Sequence, residues 1–257
     1  MKIPFLTFIF LILSTAVICL GCGSSKSDIN TDDPEKAFSI AKRKFDKGDY
    51  TDAIEDFSFI KLRFPGTAIS EKTQFYLAYS YYRQKEYILA AYEFDKFLRS
   101  YPRSEMYPDA MYMLGLAYYE LSPAYPVDQE YTYLALEQFQ RFIESYPEHR
   151  SSADAEKKIT ELRNKIAYKD YKTAEIYLKN DNYRAASIYF RNVYDNYIES
   201  EWADDAMIGE AEAYISAKKY SEAESVLEKF LKLFPNSQLK PKAQKLLSDI
   251  KLEQGKK

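Results

Sequence analysis

Histidine, cysteine and glycine are nearly missing from this chain. Its 257 residues hold one histidine, two cysteines and seven glycines. One His and two Cys cannot furnish a His- or Cys-rich metal site, and no EF-hand spacing offers a carboxylate one. Seven glycines and ten prolines are too few for an all-β fold with many tight turns. No Gly-rich phosphate loop and no nucleophile elbow is present, so the common nucleotide and acyl-transfer signatures are absent. An excess of charge is missing too: 36 basic residues against 39 acidic ones leave a net charge of −3, which gives no basic footprint for nucleic acid. The chain is rich in aromatic residues, at 16%, with 25 tyrosines. At 46% hydrophobic and 29% charged it can bury a core, and it is too charged for a polytopic membrane protein.

The one long apolar run lies at the start. Residues 3–18 are nearly all apolar, Lys2 precedes them, and Leu20-Gly21-Cys22 meets the small residues that follow. This is the pattern of a secretory signal rather than of a folded element, with an uncleaved N-terminal membrane anchor as the alternative. The stretch Cys19-Leu20-Gly21-Cys22 resembles a bacterial lipobox, with Cys19 where Leu is usual. Cleavage before Cys22 would discard Cys19, and acylation would consume Cys22, so the mature chain would have no free thiol and no disulfide. In lipoproteins a Gly after the acylated Cys, here Gly23, resembles the outer-membrane sorting pattern. The Ser-, Asp- and Asn-rich stretch up to residue 33 reads as a flexible tether.

Repeats organise the remainder. One string recurs: aromatic, two residues, Ala, three residues, apolar, then Pro some eight residues on. It runs through Tyr50, Ala53, Phe57, Ile60 and Pro65; then Tyr87, Ala90, Phe94, Phe97 and Pro102; then Thr132, Ala135, Phe139, Phe142 and Pro147. A fourth copy has Tyr183, Ala186, Phe190 and Val193, with Ile198 in place of Pro; a fifth has Tyr220, Ala223, Leu227, Phe230 and Pro235. A small residue precedes each copy at a matching point: Ala41, Ala78, Gly115, Ala174 and Ala211. Positions i, i+3, i+4 and i+7 form one helical face, the small residues admit a close neighbour, and Pro ends the second helix of each pair. The pattern is tetratricopeptide-like: each helix pair must stack on the next to bury its face. The expected fold is therefore all-α, a TPR-like α-solenoid of about five helix-turn-helix repeats plus a C-terminal capping helix over residues 240–253. The expected organisation is a signal peptide at 1–21, the lipidated Cys and tether at 22–33, repeats one and two at 34–103, and repeats three to five with the cap at 104–253.

Two copies depart from the pattern. The third carries an insertion, residues 122–129, with Pro123 and Pro126 in it; it is open to reading as a tolerated loop or as a partner contact. The fourth has a first helix expected over residues 152–180, long enough to link the two halves of the array. His149 follows Pro147-Glu148 and reads as an exposed turn residue.

Several strings in the middle resemble the BamD family of outer-membrane protein assembly factors. They are Asp109-Ala110-Met111-Tyr112-Met113-Leu114-Gly115-Leu116, the loop Val127-Asp128-Gln129-Glu130, and Tyr146-Pro147-Glu148-His149-Arg150-Ser151-Ser152-Ala153. The stretches Leu162-Arg163-Asn164-Lys165-Ile166-Ala167 and Tyr183-Arg184-Ala185-Ala186 extend the likeness. The loop keeps Asp128-Gln129 but lacks the Asp-Arg pair that precedes it in the family. The resemblance implies a non-enzymatic lipoprotein without cofactors or metal. It would be anchored through Cys22 to the periplasmic face of the outer membrane. Its implied partners are the POTRA region of a BamA-like barrel insertase, other Bam lipoproteins and unfolded outer-membrane proteins. A groove for a substrate peptide would draw on Phe59, Tyr79, Tyr82 and Tyr92, with Arg63 and Arg83 as basic groups; packing between helices is the alternative use of the four aromatics. Insertase contact would draw on Asp128, Gln129, Arg191, Trp202 and Asp205; for Trp202, which starts a helix near a repeat junction, a core role is the alternative. The competing function is a periplasmic TPR adaptor for cell-wall or division machinery.

Overall fold

The computed structural model describes residue 27 and residues 29–255. The expected signal segment and the expected lipidation site, Cys22, lie outside the described residues. Among the described residues eleven helices follow one another and no strand occurs. They are α1 (Pro34–Lys47), α2 (Tyr50–Arg63), α3 (Ser70–Arg83), α4 (Tyr87–Ser100), α5 (Tyr107–Leu121) and α6 (Glu130–Ser145). Then come α7 (Ser152–Lys179), α8 (Tyr183–Asn196), α9 (Ala203–Ser216), α10 (Tyr220–Leu233) and α11 (Lys240–Gln254). The fold is all-α and TPR-like, with α11 after the last pair. Two compact units are present, Met1–Glu86 and Tyr87–Lys257. The division falls between the two helices of the second repeat, earlier in the chain than the 103/104 boundary expected from the repeat pattern. In the first unit α1 packs on α2 and α2 on α3; in the second each helix from α4 to α11 packs on the next.

The turn that joins the two helices of a repeat is built the same way four times. Gly48, Lys85, Asp181 and Lys218 each adopt a left-handed backbone, with φ of 89°, 65°, 57° and 59°. The following N–H then reaches back to a carbonyl five residues earlier: Asp49 to Lys44, Glu86 to Tyr81, Asn182 to Tyr177 and Lys219 to Tyr214, at 2.8–3.0 Å. This closes the first helix by capping its last carbonyls. Only the first of the four turns has the glycine that this geometry favours. Lys218→Gly is therefore expected to stabilise the second unit by about 1 kcal/mol and raise its midpoint by roughly 2–4 °C in a thermal melt.

The repeated string is the core. Ala53, Ala90, Ala135, Ala186 and Ala223 are fully buried, as are Phe57, Phe94, Phe139 and Leu227 beside them. Ala41, Ala78, Ala174 and Ala211, each on the preceding helix in the chain, are buried as well. Gly115 is placed so that a Cβ would lie 2.7 Å from the Phe139 ring, and Gly209 so that a Cβ would lie 2.6 Å from the Phe190 ring. Glycine is required at both points by close approach, because real carbon contacts do not go that short. Pro65, Pro102, Pro147 and Pro235 each fall just beyond a helix end, as expected.

One expectation needs revision. The stretch before α1 is not a free tether throughout: Ile29 is only 8% exposed and belongs to the first unit's core. Asp33 caps α1 by accepting from the N–H groups of Glu35 and Lys36 at 3.0 and 3.3 Å. The long helix expected to link two halves of the array, α7, joins two core clusters within the second unit. Its Ala155 and Leu162 belong to the cluster around Phe139 and Phe142, while Ala167 and Ala174 belong to the cluster around Phe190 and Phe230. At 28 residues it runs from the core of the third repeat into that of the fourth and fifth, inside the second unit.

Candidate functional site

In the first unit the expected peptide shelf is partly spent on packing. Phe59 and Tyr79 are half-buried against the core cluster. Tyr79 stands 5.1 Å from the Phe45 ring and 6.4 Å from Tyr82. The two arginines do not converge. Arg83 lies 4.8 Å over the ring of Tyr50, at the start of α2, whereas Arg63 ends that helix, a run of 14 residues or roughly 20 Å. One carboxylate cannot meet both. Arg63 instead sits 6.0 Å from the Phe59 ring and forms an ion pair with Asp32. Phe59, Arg63 and residues 29–32 together line a cavity of about 350 Å³. Tyr92 belongs to the second unit and is 57% exposed.

In the second unit the inserted loop is folded onto itself. Gln129, expected to face a partner, is 1% exposed. Its amide nitrogen donates to the carbonyls of Ala124 and Val127, at 3.0 and 2.9 Å, and its oxygen accepts from Thr132 Oγ1 at 2.6 Å. A buried amide must be satisfied, and here the loop's own carbonyls do it. Asp128 is exposed, and its carboxylate accepts from the Glu130 N–H at the start of α6. Lys165 on α7 donates to Ser122 Oγ at 2.8 Å, and burial pushes its amine below the usual lysine range. Tyr125 meets Tyr168 edge-on at 4.8 Å.

That contact opens an aromatic ladder. Tyr168 lies 4.5 Å from Trp202, which lies 5.4 Å from Tyr171, which in turn lies 5.7 Å from Phe190. Trp202 is half-buried, with its ring packed against Tyr168 and Tyr171 of α7. Tyr168 and Tyr171 were not singled out in the sequence. Their i,i+3 spacing on a helix that carries a loop contact is the signal that would have found them.

Arg191 is also engaged internally. Its guanidinium donates twice to Glu210 Oε1, at 3.0 and 2.7 Å, and once to the Tyr214 hydroxyl at 2.6 Å. Tyr194 donates to the other oxygen of Glu210. Glu210 is fully buried, while the Arg191 side chain remains half exposed. The Glu210 hydrogen bonds push the Arg191 pKa up, and burial pushes the Tyr194 hydroxyl up.

Asp205 stands apart because its charge is held at a cost. Burial and the neighbouring Asp204 carboxylate raise its pKa, with Lys242 opposing. A carboxyl with a raised folded pKa binds its proton more tightly in the native state. Its ionised form therefore opposes folding at neutral pH, and the opposition fades as pH falls through the window between the folded and unfolded values. Asp205→Asn is expected to raise stability at about pH 7, with the gain shrinking towards zero near about pH 3, as urea melts at the two pH values would show. His149, expected to be exposed, is only 19% so. Its ring stands edge-on to Phe142 at 5.3 Å, and Nδ1 accepts from the Ser151 N–H.

One of the exposed apolar surfaces of this unit lies on α8. Ile188 is 59% exposed. It borders a cavity of about 520 Å³ shared with Asp181, Arg184, Tyr214 and Lys219, and a second cleft with Tyr189, Arg191 and Asp195. Among the described residues no helix is long and apolar enough to cross a membrane, and no cluster of His, Cys, Asp or Glu could hold a metal ion.

The family described as YfiO, outer membrane lipoprotein, matches residues 30–215 and 178–254. The chain belongs to this family. YfiO-family relatives include the outer membrane protein assembly factor BamD of Vibrio cholerae, 26% identical over 207 residues, covering 77% of this chain and 86% of that one. The BamD protein of Rickettsia prowazekii is 28% identical over 192 residues, covering 75% and 76%. Among solved structures, the TPR2AB domain of yeast Sti1 in complex with pHSP90 aligns at a TM-score of 0.43 and 13% identity, over 86% of this chain and 83% of that one.

Proposed function

We propose that this YfiO-family protein is a non-catalytic lipoprotein subunit of an outer-membrane β-barrel assembly machinery. The observation that carries the reading is the family match from residue 30 to residue 254, together with relatives named as BamD assembly factors over most of their length. Acyl chains on Cys22 would hold it to the periplasmic face of the outer membrane. Repeats four and five would bind the POTRA region of a BamA-like insertase. What supports this is the exposed face of α8, where Ile188 lies between Arg184 and Arg191 beside two clefts. Asp128 and Asp205 join that proposal as open or strained carboxylates, whereas Gln129, Arg191 and Trp202 contribute mainly by holding the surface in shape. The α2 surface around Phe59 and Arg63 would receive targeting segments of unfolded barrel proteins. Other Bam lipoproteins would complete the assembly.

The test is co-purification of the full-length protein, tagged at its C-terminus, from gently solubilised envelopes. A POTRA-barrel protein is expected in stoichiometric amount, and Ile188→Asp is expected to reduce it at least tenfold. Recovery of cell-wall or division proteins without a barrel insertase would replace this reading with that of a periplasmic TPR adaptor.

A further inference from the structure

The segment that leads into α1 covers part of the α2 surface to which the proposed function assigns peptide binding. Residues 29–32 have no helix or strand of their own, yet they are placed by side chains. Ile29 belongs to the buried cluster that contains Phe57, Ile60 and Ile69. Three residues later Asp32 pairs with Arg63, whose guanidinium also lies over Phe59. The turn between them is held locally: Asp33 N–H donates to Thr31 Oγ1 at 3.2 Å, and Ile29 N–H to Ser27 Oγ at 3.3 Å. An isoleucine among Ser, Asp, Asn and Thr has no reason to be there in a mere spacer. The seat is not sealed: a cavity of about 350 Å³ adjoins the segment, and the Arg63 side chain is 48% exposed.

We infer that residues 29–32 are a built-in ligand of the α2 surface, which an incoming peptide of matching chemistry must displace. This rests in part on the reading that the surface binds peptides. The matching chemistry is read from the occupant. It is a non-helical peptide with a large apolar side chain and, three residues on, a carboxylate, whether of a side chain or of a chain end. In extended form that spacing is roughly 10 Å. An occupant on the same chain acts at an effective concentration in the millimolar range. The surface therefore rejects weak or mismatched peptides and opens only to those that fill both subsites better than Ile29 and Asp32 do.

The experiment uses the full chain in detergent and a fluorescein-labelled peptide copying residues 27–33, titrated by anisotropy. Binding to the parent protein is expected to be weak. Ile29→Asp removes the apolar anchor of the built-in copy and is expected to bind the peptide at least tenfold more tightly. Asp32→Lys, at a side chain 89% exposed and therefore harmless to the core, is expected to give about a threefold gain. Should Ile29→Asp unfold the first unit by circular dichroism, Asp32→Lys alone decides. Equal affinity of parent and variants, or no binding by any of them at millimolar peptide, overturns the inference. A C-terminal peptide from an outer-membrane barrel protein is titrated in parallel. If it binds all three proteins equally, the built-in ligand falls and peptide binding as a function stands. If only the copy peptide shows the gain and the barrel peptide binds none, the built-in ligand stands and the barrel-substrate reading falls.

Discussion

Phe190→Ala is expected to be the most damaging single change in the second unit, costing about 3–5 kcal/mol in urea unfolding. The ring is 1% exposed. It touches α7 through Tyr171, at 5.7 Å, and faces the bare backbone of α9 at Gly209. Truncation would leave a void bounded by two helices that are each held elsewhere, so the site cannot collapse to fill it. The same geometry sets a second, coupled outcome. Gly209→Ala gains helix propensity of about 1 kcal/mol, yet its methyl would sit 2.6 Å from two atoms of the ring. Overpacking is expected to win, with a net loss of about 1–2 kcal/mol. Combined with Phe190→Leu, the alanine should cost nothing further. A double-mutant cycle that showed simple additivity would mean that ring and glycine do not meet.

Arg191→Ala is the second large effect. Glu210 is buried, and Arg191 supplies its one opposite charge among the described ion pairs. Removing one partner of a buried pair leaves a charge that the interior cannot solvate. Because Arg191 is itself half exposed, water can enter where it stood, so the expected loss is about 2–3 kcal/mol, below the full cost of an inaccessible pair. Arg191→Lys should fall between, since an ammonium cannot reproduce the paired donation. A deficit as large for Arg191→Lys as for Arg191→Ala would show that the missing charge is not what Glu210 loses.

These two residues show where the sequence speaks and where it does not. The alanines and aromatics of the repeat string were legible because they recur at helical spacing on one face. Gly209 and Glu210 were not, since α9 has no single buried stripe: Ala206, Met207, Ile208, Gly209, Glu210 and Ala211 are all buried in succession. A first helix packed on both sides loses the amphipathic contrast on which periodicity depends. Polar residues mislead for a related reason. Gln129 reads as exposed because it is polar and lies in a loop, but its burial depends on three carbonyl and hydroxyl partners that only the folded loop brings together. Ile29 was hidden in the opposite way, as one apolar residue averaged into a polar stretch. Of the peptide shelf, Phe59 with Arg63 was placed together on α2, but Arg83 was not, because the sequence does not say that α2 separates them. Of the partner set, the pairing of Arg191 with Glu210 and the packing of Trp202 on Tyr168 and Tyr171 were not legible, because each is a contact with another helix.

Helix α7 has a consequence for how the second unit comes apart. In repeat arrays each pair of helices is a module, and modules can open one at a time from the ends. Here one unbroken helix supplies Ala155 and Leu162 to one core and Ala167 and Ala174 to the next. Neither core can open alone without snapping hydrogen bonds in the middle of α7, so repeats three to five should melt as one block while α11 frays independently. In a compartment that destroys whatever unfolds, such a block offers proteases no internal foothold between Ser152 and Lys179.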